Sequence, residues 1–194
     1  DDVRVLTPNV AHCPITIAAF KAGKHVLCEK PMAANVEDAQ KMMDAWKESG
    51  KLFTIGYQNR YRTDAQALKT ICENNELGDI YYARAHAIRR RAVPTWGVFP
   101  DKSQQGGGPL IDIGTHSLDL TLYLMNNYKP RMVVGTRYKK VEGADQGNPW
   151  GGWKEDENLT LEDAAFGFIV MEDGATITLD ATWALNTDEP IQEG

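Results

Sequence analysis

The chain has 194 residues, enough for one ordinary domain or two small ones. Its 21 Lys plus Arg against 27 Asp plus Glu leave a formal charge of −6, which excludes a non-specific nucleic-acid binder that needs a basic face. No apolar run approaches the roughly 18 residues of a membrane span, and Cys13, Cys28 and Cys72 form neither a disulfide framework nor a CxxC zinc motif, so the expected setting is the reducing cytoplasm.

Residues 3–6 read as a short apolar strand that Thr7-Pro8-Asn9 breaks. Pro14 stands where a helix should start, residues 15–22 continue it, and Gly23 ends it. Residues 24–28 are a second strand, followed by Glu29-Lys30-Pro31. Asn35 and Asp38 form a capping pair for a helix with Ala39, Met42, Met43 and Trp46 at helical spacing, closed by Gly50. Residues 51–56 are a third strand. This alternation implies parallel strands joined by right-handed crossovers. In such sheets ligands gather beyond the carboxyl ends of the strands. Thr7-Pro8-Asn9, Glu29-Lys30-Pro31 and Tyr57-Gln58-Asn59-Arg60 occupy those three ends and should line one crevice.

From residue 58 the character changes. Thr63 with Gln66 should cap a helix running to about Leu77, with Gly78 as its stop. Residues 80–91 alternate like a long half-exposed strand, which would place Arg89 and Arg91 on one face and Arg90 on the other. Residues 131–141 are strand-like, and 142–160 look like an insertion rich in Gly, Trp and acidic residues. Residues 164–171 and 175–185 flank the hairpin signal Glu172-Asp173-Gly174. These strands belong to a mostly antiparallel sheet. The expected architecture is α/β then α+β: a Rossmann-like parallel sheet over residues 1–57, then an α+β domain over 58–194 with a buried central helix.

That helix begins after Gly106-Gly107-Gly108. Pro109 sits in its first turn, where no backbone donor is needed, and residues 110–125 are apolar on almost every side. Into this rod are set Asp112, His116 and Asp119. Residues at i and i+4 share a helix face, so Asp112 and His116 can point into one cavity. Two readings stand: a structural hydrogen bond that satisfies both groups, or an acid–base centre, since histidine titrates near neutrality. A metal site lacks a third ligand at fixed spacing. His12, His25 and His86 have no partners at metal spacing either.

The run Gly23-Lys-His-Val-Leu-Cys-Glu29-Lys30-Pro31, followed by the three glycines and Asp112-x-x-x-His116, resembles the glucose–fructose oxidoreductase / inositol dehydrogenase (Gfo/Idh/MocA) family. The likeness extends over nearly the whole chain. It implies an NAD- or NADP-dependent oxidoreductase that moves hydride between the cofactor and a secondary alcohol of a sugar or polyol. The family's glycine-rich GxGxxG turn would precede the first strand seen here, so the chain is expected to be an internal piece of a longer enzyme, weak or inactive by itself.

By resemblance, His116 is the general base, Lys30 holds the hydroxyl oxygen and Asp112 orients the network. Glu29 would reach the nicotinamide ribose. Thr7, Pro8, Asn9 and His12, with Lys30 and Gln58, would contact the rest of the cofactor. The sugar is expected against Lys30, Asp112, His116, Arg91 and Trp96, with Trp96 favoured over Trp150 and Trp153 because it is nearer the central helix along the chain. Pro31 is expected to follow a cis peptide, and the protein to self-associate. Two alternatives remain: a family relative that uses bound NAD transiently to cleave a glycoside, and a non-catalytic binding or assembly module.

Overall fold

The computed structural model describes residues 1–141, 160–189 and 191–194. Residues 142–159 of the expected insertion, Trp150 and Trp153 among them, lie outside the described residues. Three short strands, β1 (Asp2–Val5), β2 (His25–Cys28) and β3 (Phe53–Ile55), pair in parallel in the order β1-β2-β3. Helices α1 (Asn9–Lys21) and α2 (Val36–Ser49) fill the two crossovers. Val5, Phe20, Val26, Cys28 and Met42 join their apolar faces in one core. At the start of α2 the Asn35 side chain accepts the Asp38 backbone N–H at 2.8 Å, and Gly50 ends the helix at φ 61°.

Helix α1 starts five residues before the expected Pro14, which lies inside it. A proline there removes one backbone donor. The first turn is held from outside instead: Asn9 Nδ2 donates to the Gln105 carbonyl at 2.9 Å, and both ring nitrogens of His12 face carbonyl oxygens, of Pro31 at 2.8 Å and Thr7 at 2.9 Å. The chain leaves β3 through a 3₁₀ turn (Gln58–Tyr61) into α3 (Thr63–Glu73). The expected Thr63 cap is not formed. Arg62 precedes the helix, and Asp64 accepts the Ala65 N–H at 2.8 Å.

The second sheet has the order β5-β6-β7-β4-β8, from β4 (Tyr82–Arg89), β5 (Pro130–Tyr138), β6 (Ala164–Met171), β7 (Thr176–Thr182) and β8 (Ile191–Glu193). All its pairs are antiparallel except β4 with β7. A one-turn helix α4 (Lys102–Gln105) leads to the three glycines. The central segment is not uniform: Leu110–Gly114 is a π-helical turn, which runs into α5 (Thr115–Met125). Every residue from 111 to 125 is buried or half-buried. Leu118, Leu122 and Met125 pack on Ala85, Ile169, Met171, Ile177 and Leu179 of the sheet. This places the π turn and the first turn of α5 at the junction between the two sheets. Among the described residues no helix is long and apolar enough to cross a membrane.

Candidate active site

The Lys30–Pro31 bond at the carboxyl end of β2 is cis, and from it the Lys30 side chain crosses to the central segment. Its Nζ donates to the Asp112 carbonyl at 2.7 Å and to Asp112 Oδ1 at 3.0 Å. The second carboxylate oxygen of Asp112 accepts the Trp183 indole N–H at 3.0 Å. Lys30 and Asp112 retain only 18% and 14% side-chain exposure, so solvent screens their ion pair weakly.

His116 lies one turn further on, on the same cavity of about 270 Å³ as Lys30 and Asp112. Among the described residues its Nδ1 is buried without a hydrogen-bond partner. Burial, and then the Lys30 cation, push the imidazole below the ordinary histidine value, while Asp112 opposes them. The ring is therefore held neutral, the form that can take a proton.

The wall behind His116 comes from the turn after β3. The Tyr57 ring meets the imidazole edge-on, with centroids 6.3 Å apart, and its hydroxyl is 2.9 Å from Thr115 Oγ1. Burial pushes the Tyr57 phenol up. Arg60 lies over the rings of Tyr57 and Tyr123, at 5.8 and 5.1 Å, and donates to both carboxylate oxygens of Asp119, from Nε at 2.7 Å. Asp119 thus belongs to the support of the site, below His116 on α5.

Two openings meet at Lys30. The first is the crevice expected from the strand ends, a cavity of about 280 Å³ lined by Thr7, Pro8, Asn9, Glu29, Lys30 and Asp112 with Val98 and Phe99. The second is the His116 cavity, where Gln58 lies rather than in the crevice, together with Asn59, Arg62, Arg89 and Glu193. His12 is fully buried, outside the crevice lining, with its ring nitrogens 2.8 Å from the Pro31 carbonyl oxygen and 2.9 Å from that of Thr7, a residue of the crevice wall. Trp96 is half-exposed and stacks edge-on against Phe99 at 5.5 Å, one residue removed from the crevice wall.

The cavity that holds His116 is lined by Arg89 and not by the expected Arg91. Strand β4 ends at Arg89, so the alternation that would align the two arginines stops there, and Arg91 is exposed and absent from the cavity lining. Arg89 Nη2 stands 3.4 Å from Glu193 Oε1 on β8. Strand alternation from Ala85 and Ala87 could have singled out Arg89. Trp183 is a further site residue that sequence reasoning does not reach. It continues the inward-facing series Ile177, Leu179, Ala181, but no spacing ties it to Asp112. Glu193 carries no local signal at all.

A crevice at the carboxyl ends of a parallel sheet, with a carboxylate and an imidazole set beside it by the central helical segment that packs on a mixed sheet, is the layout of a two-lobed oxidoreductase. Residues 1–57 match the oxidoreductase family's NAD-binding Rossmann fold, and residues 65–192 match the GFO/IDH/MocA C-terminal domain. The chain belongs to the Gfo/Idh/MocA family of oxidoreductases. It is 38% identical to a D-glucoside 3-dehydrogenase of Escherichia coli over 97% of this chain and 54% of the relative. A levoglucosan dehydrogenase solved with NADH and levoglucosan superposes with a TM-score of 0.82 at 28% identity, covering 97% of this chain and 50% of that one. An aldose–aldose oxidoreductase from Caulobacter crescentus, solved with glycerol, gives a TM-score of 0.78 at 29% identity, covering 96% and 51%. The chain spans about half the length of the relatives it matches.

Proposed function

We propose that the protein of which this chain is part is an NAD(P)-dependent dehydrogenase acting on a secondary alcohol of a sugar or polyol. One observation carries the reading: the Lys30 ammonium, from the end of β2, meets Asp112 of the π turn at 3.0 Å, on the cavity that also receives His116. The relatives' substrates, a D-glucoside and levoglucosan, support a sugar as the alcohol. The division at about residue 57 assigns the crevice mainly to residues 1–57 and the sugar cavity mainly to residues 58–194.

The crevice suits a dinucleotide. A Cβ on Gly56 would come 3.0 Å from the Glu29 carboxyl group, so glycine there leaves Glu29 room at the rim. From the rim its carboxylate can accept ribose hydroxyls, while Thr7, Pro8 and Asn9 form the wall beside it. A bound nicotinamide would supply the hydride acceptor. The chain's own residues do the rest. His116, neutral through burial, takes the hydroxyl proton. Lys30 holds the alcohol oxygen and stabilises its alkoxide character as the C–H bond is lost. Asp112 fixes the ammonium through its carbonyl and Oδ1. Arg89 and Glu193 offer a donor and an acceptor side by side to hydroxyls elsewhere on the ring.

The open face of the second sheet carries Met132, Val134, Tyr138 and Phe168, each at least 44% exposed. A second copy of the protein is its proposed cover. The test of the main reading is the full-length protein on a panel of glucosides, anhydrosugars and polyols with NAD and with NADP. Substrate-dependent appearance of reduced cofactor supports it. Glycoside cleavage without net reduction would replace it with the transient-redox alternative, and neither reaction would leave a non-catalytic module.

A further inference from the structure

The Asp112 carboxylate has two oxygens and two different donors. Oδ1 takes the Lys30 ammonium at 3.0 Å, from the first sheet's side, and Oδ2 takes the Trp183 indole at 3.0 Å, from the second sheet. We propose that Trp183 is a positioning residue for the reaction: its indole N–H fixes the plane of the Asp112 carboxylate, and through it the place of the Lys30 ammonium.

Three observations carry this. Trp183 is 1% exposed, so its ring has no other orientation available without repacking the core of Ala87, Val93, Ile113 and Leu161. Its backbone is tied on both sides, the N–H donating to the Asp163 carbonyl at 3.0 Å and the carbonyl accepting the Ala92 N–H at 2.9 Å. Asp163 is itself buried and accepts the Lys140 and Val141 N–H groups, the latter at 2.5 Å. The indole thus reaches Asp112 from a rigid strand end. Asp112, by contrast, sits in a π-helical turn, a backbone form that occurs mostly as a single-turn bulge in a helix and frequently at functional sites.

An aspartate on such a turn needs an outside restraint if its carboxylate is to meet Lys30 in one geometry. An indole is suited to this, because it donates one hydrogen bond, accepts none and carries no charge that would compete with the ammonium. A Lys or Arg in its place would neutralise Asp112 and release Lys30.

The inference rests on the dehydrogenase reading, and its test separates the two. In the full-length enzyme Trp183→Phe keeps the ring and removes the donor. It should lower kcat about tenfold or more, the range for a lost hydrogen bond to a charged group, while the affinity for NADH, read by fluorescence, stays within about twofold. On an Asp112→Asn background the same substitution should change kcat less than about twofold, because the two act as one unit. Equal losses on both backgrounds would show a merely structural tryptophan and overturn the proposal. A readout independent of turnover is the 15N-indole resonance of Trp183, assigned by its loss in Trp183→Phe. It should move upfield in Asp112→Asn, and an unmoved resonance overturns the proposal too. A wild-type enzyme without turnover on any sugar would instead sink the dehydrogenase reading, and this one with it.

Discussion

Replacing Gly108 with alanine tests how the chain sets the π turn that carries Asp112. The Gly108 N–H donates to Glu162 Oε1 at 2.7 Å. A Cβ at this position would lie 2.0 Å from the Glu162 backbone oxygen and 3.1 Å from its carbonyl carbon. A relaxed carbon–oxygen contact is about 3.3 Å, so one backbone must move by about 1 Å. Overpacking of this kind typically costs about 1–3 kcal/mol, and the charge-assisted hydrogen bond to Glu162 adds to what is at risk. Alanine's advantage over glycine in the unfolded chain returns at most about 1 kcal/mol. The expected loss is about 3 kcal/mol, which at a urea m-value of about 1–3 kcal/mol/M lowers the unfolding midpoint by about 1 M or more. Gly107→Ala is the internal control. Its Cβ would meet Ile111 Cγ2 at 3.2 Å and Glu162 Oε1 at 3.4 Å, both side-chain atoms that can yield. That variant should stay within about 1 kcal/mol of the parent. Tryptophan fluorescence in urea on the full-length protein reads both. Equal midpoints for the two variants would refute the idea that the Glu162 backbone fixes the start of the central segment.

His116→Ala should lower kcat by about 10²–10⁴ with little change in cofactor affinity, and near-parental turnover would remove the imidazole from the mechanism. In the parent, the acid limb of the kcat/KM profile should fall below the ordinary histidine value, because burial and Lys30 both disfavour the imidazolium. Activity that needs the neutral ring is complete above that limb and is lost as pH falls through it. Lys30→Met removes one of the two depressing causes, so the limb should move up as kcat drops; a limb that stays in place refutes the assignment. Arg89→Ala and Glu193→Gln should each raise KM for the sugar while leaving the NADH dissociation constant unchanged; a shift in the latter would place that pair on the cofactor instead. Val134→Asp with Phe168→Asp should drive the assembly to monomer in light scattering, and an unaltered mass would mean that the open sheet face is not the contact.

The layout is legible wherever local chemistry decides it. Asn35 with Asp38 and Gly50 mark α2 at both ends, and the cap bond and left-handed glycine are both there. Of the three strand-end clusters expected in one crevice, two meet there through Thr7, Pro8, Asn9, Glu29 and Lys30, whereas Gln58 and Asn59 of the third line the His116 cavity instead. Where local and tertiary preferences diverge, the sequence misleads. Pro14 resembles a helix start because proline tolerates that position best. The chain places it mid-helix because Asn9 and His12 gain buried partners at Gln105, Thr7 and Pro31 that hold the earlier turn. Arg91 is equivalent to Arg89 only if the strand continues past residue 89, and it does not.

The central segment shows the same division within a single motif. The i, i+4 spacing of Asp112 and His116 predicts a shared face in a regular α-helix, yet the intervening turn is π-helical and both residues still reach one cavity. A π turn advances by a smaller angle per residue, so four residues fall slightly short of a full circuit where an α-helix slightly overshoots it, and the two side chains stay on the same side. Spacing therefore survives a change of helix type, whereas partners do not follow from spacing at all. Asp112 takes one partner from 82 residues upstream and one from 71 residues downstream, Lys30 and Trp183. Those two meet only because a parallel sheet ends its strands on one side, while β7 runs out beside the π turn. The motif that identifies the family carries the groups proposed to react; the topology decides what holds them, and the substitution of a strand-end tryptophan far from any motif is where that difference can be measured.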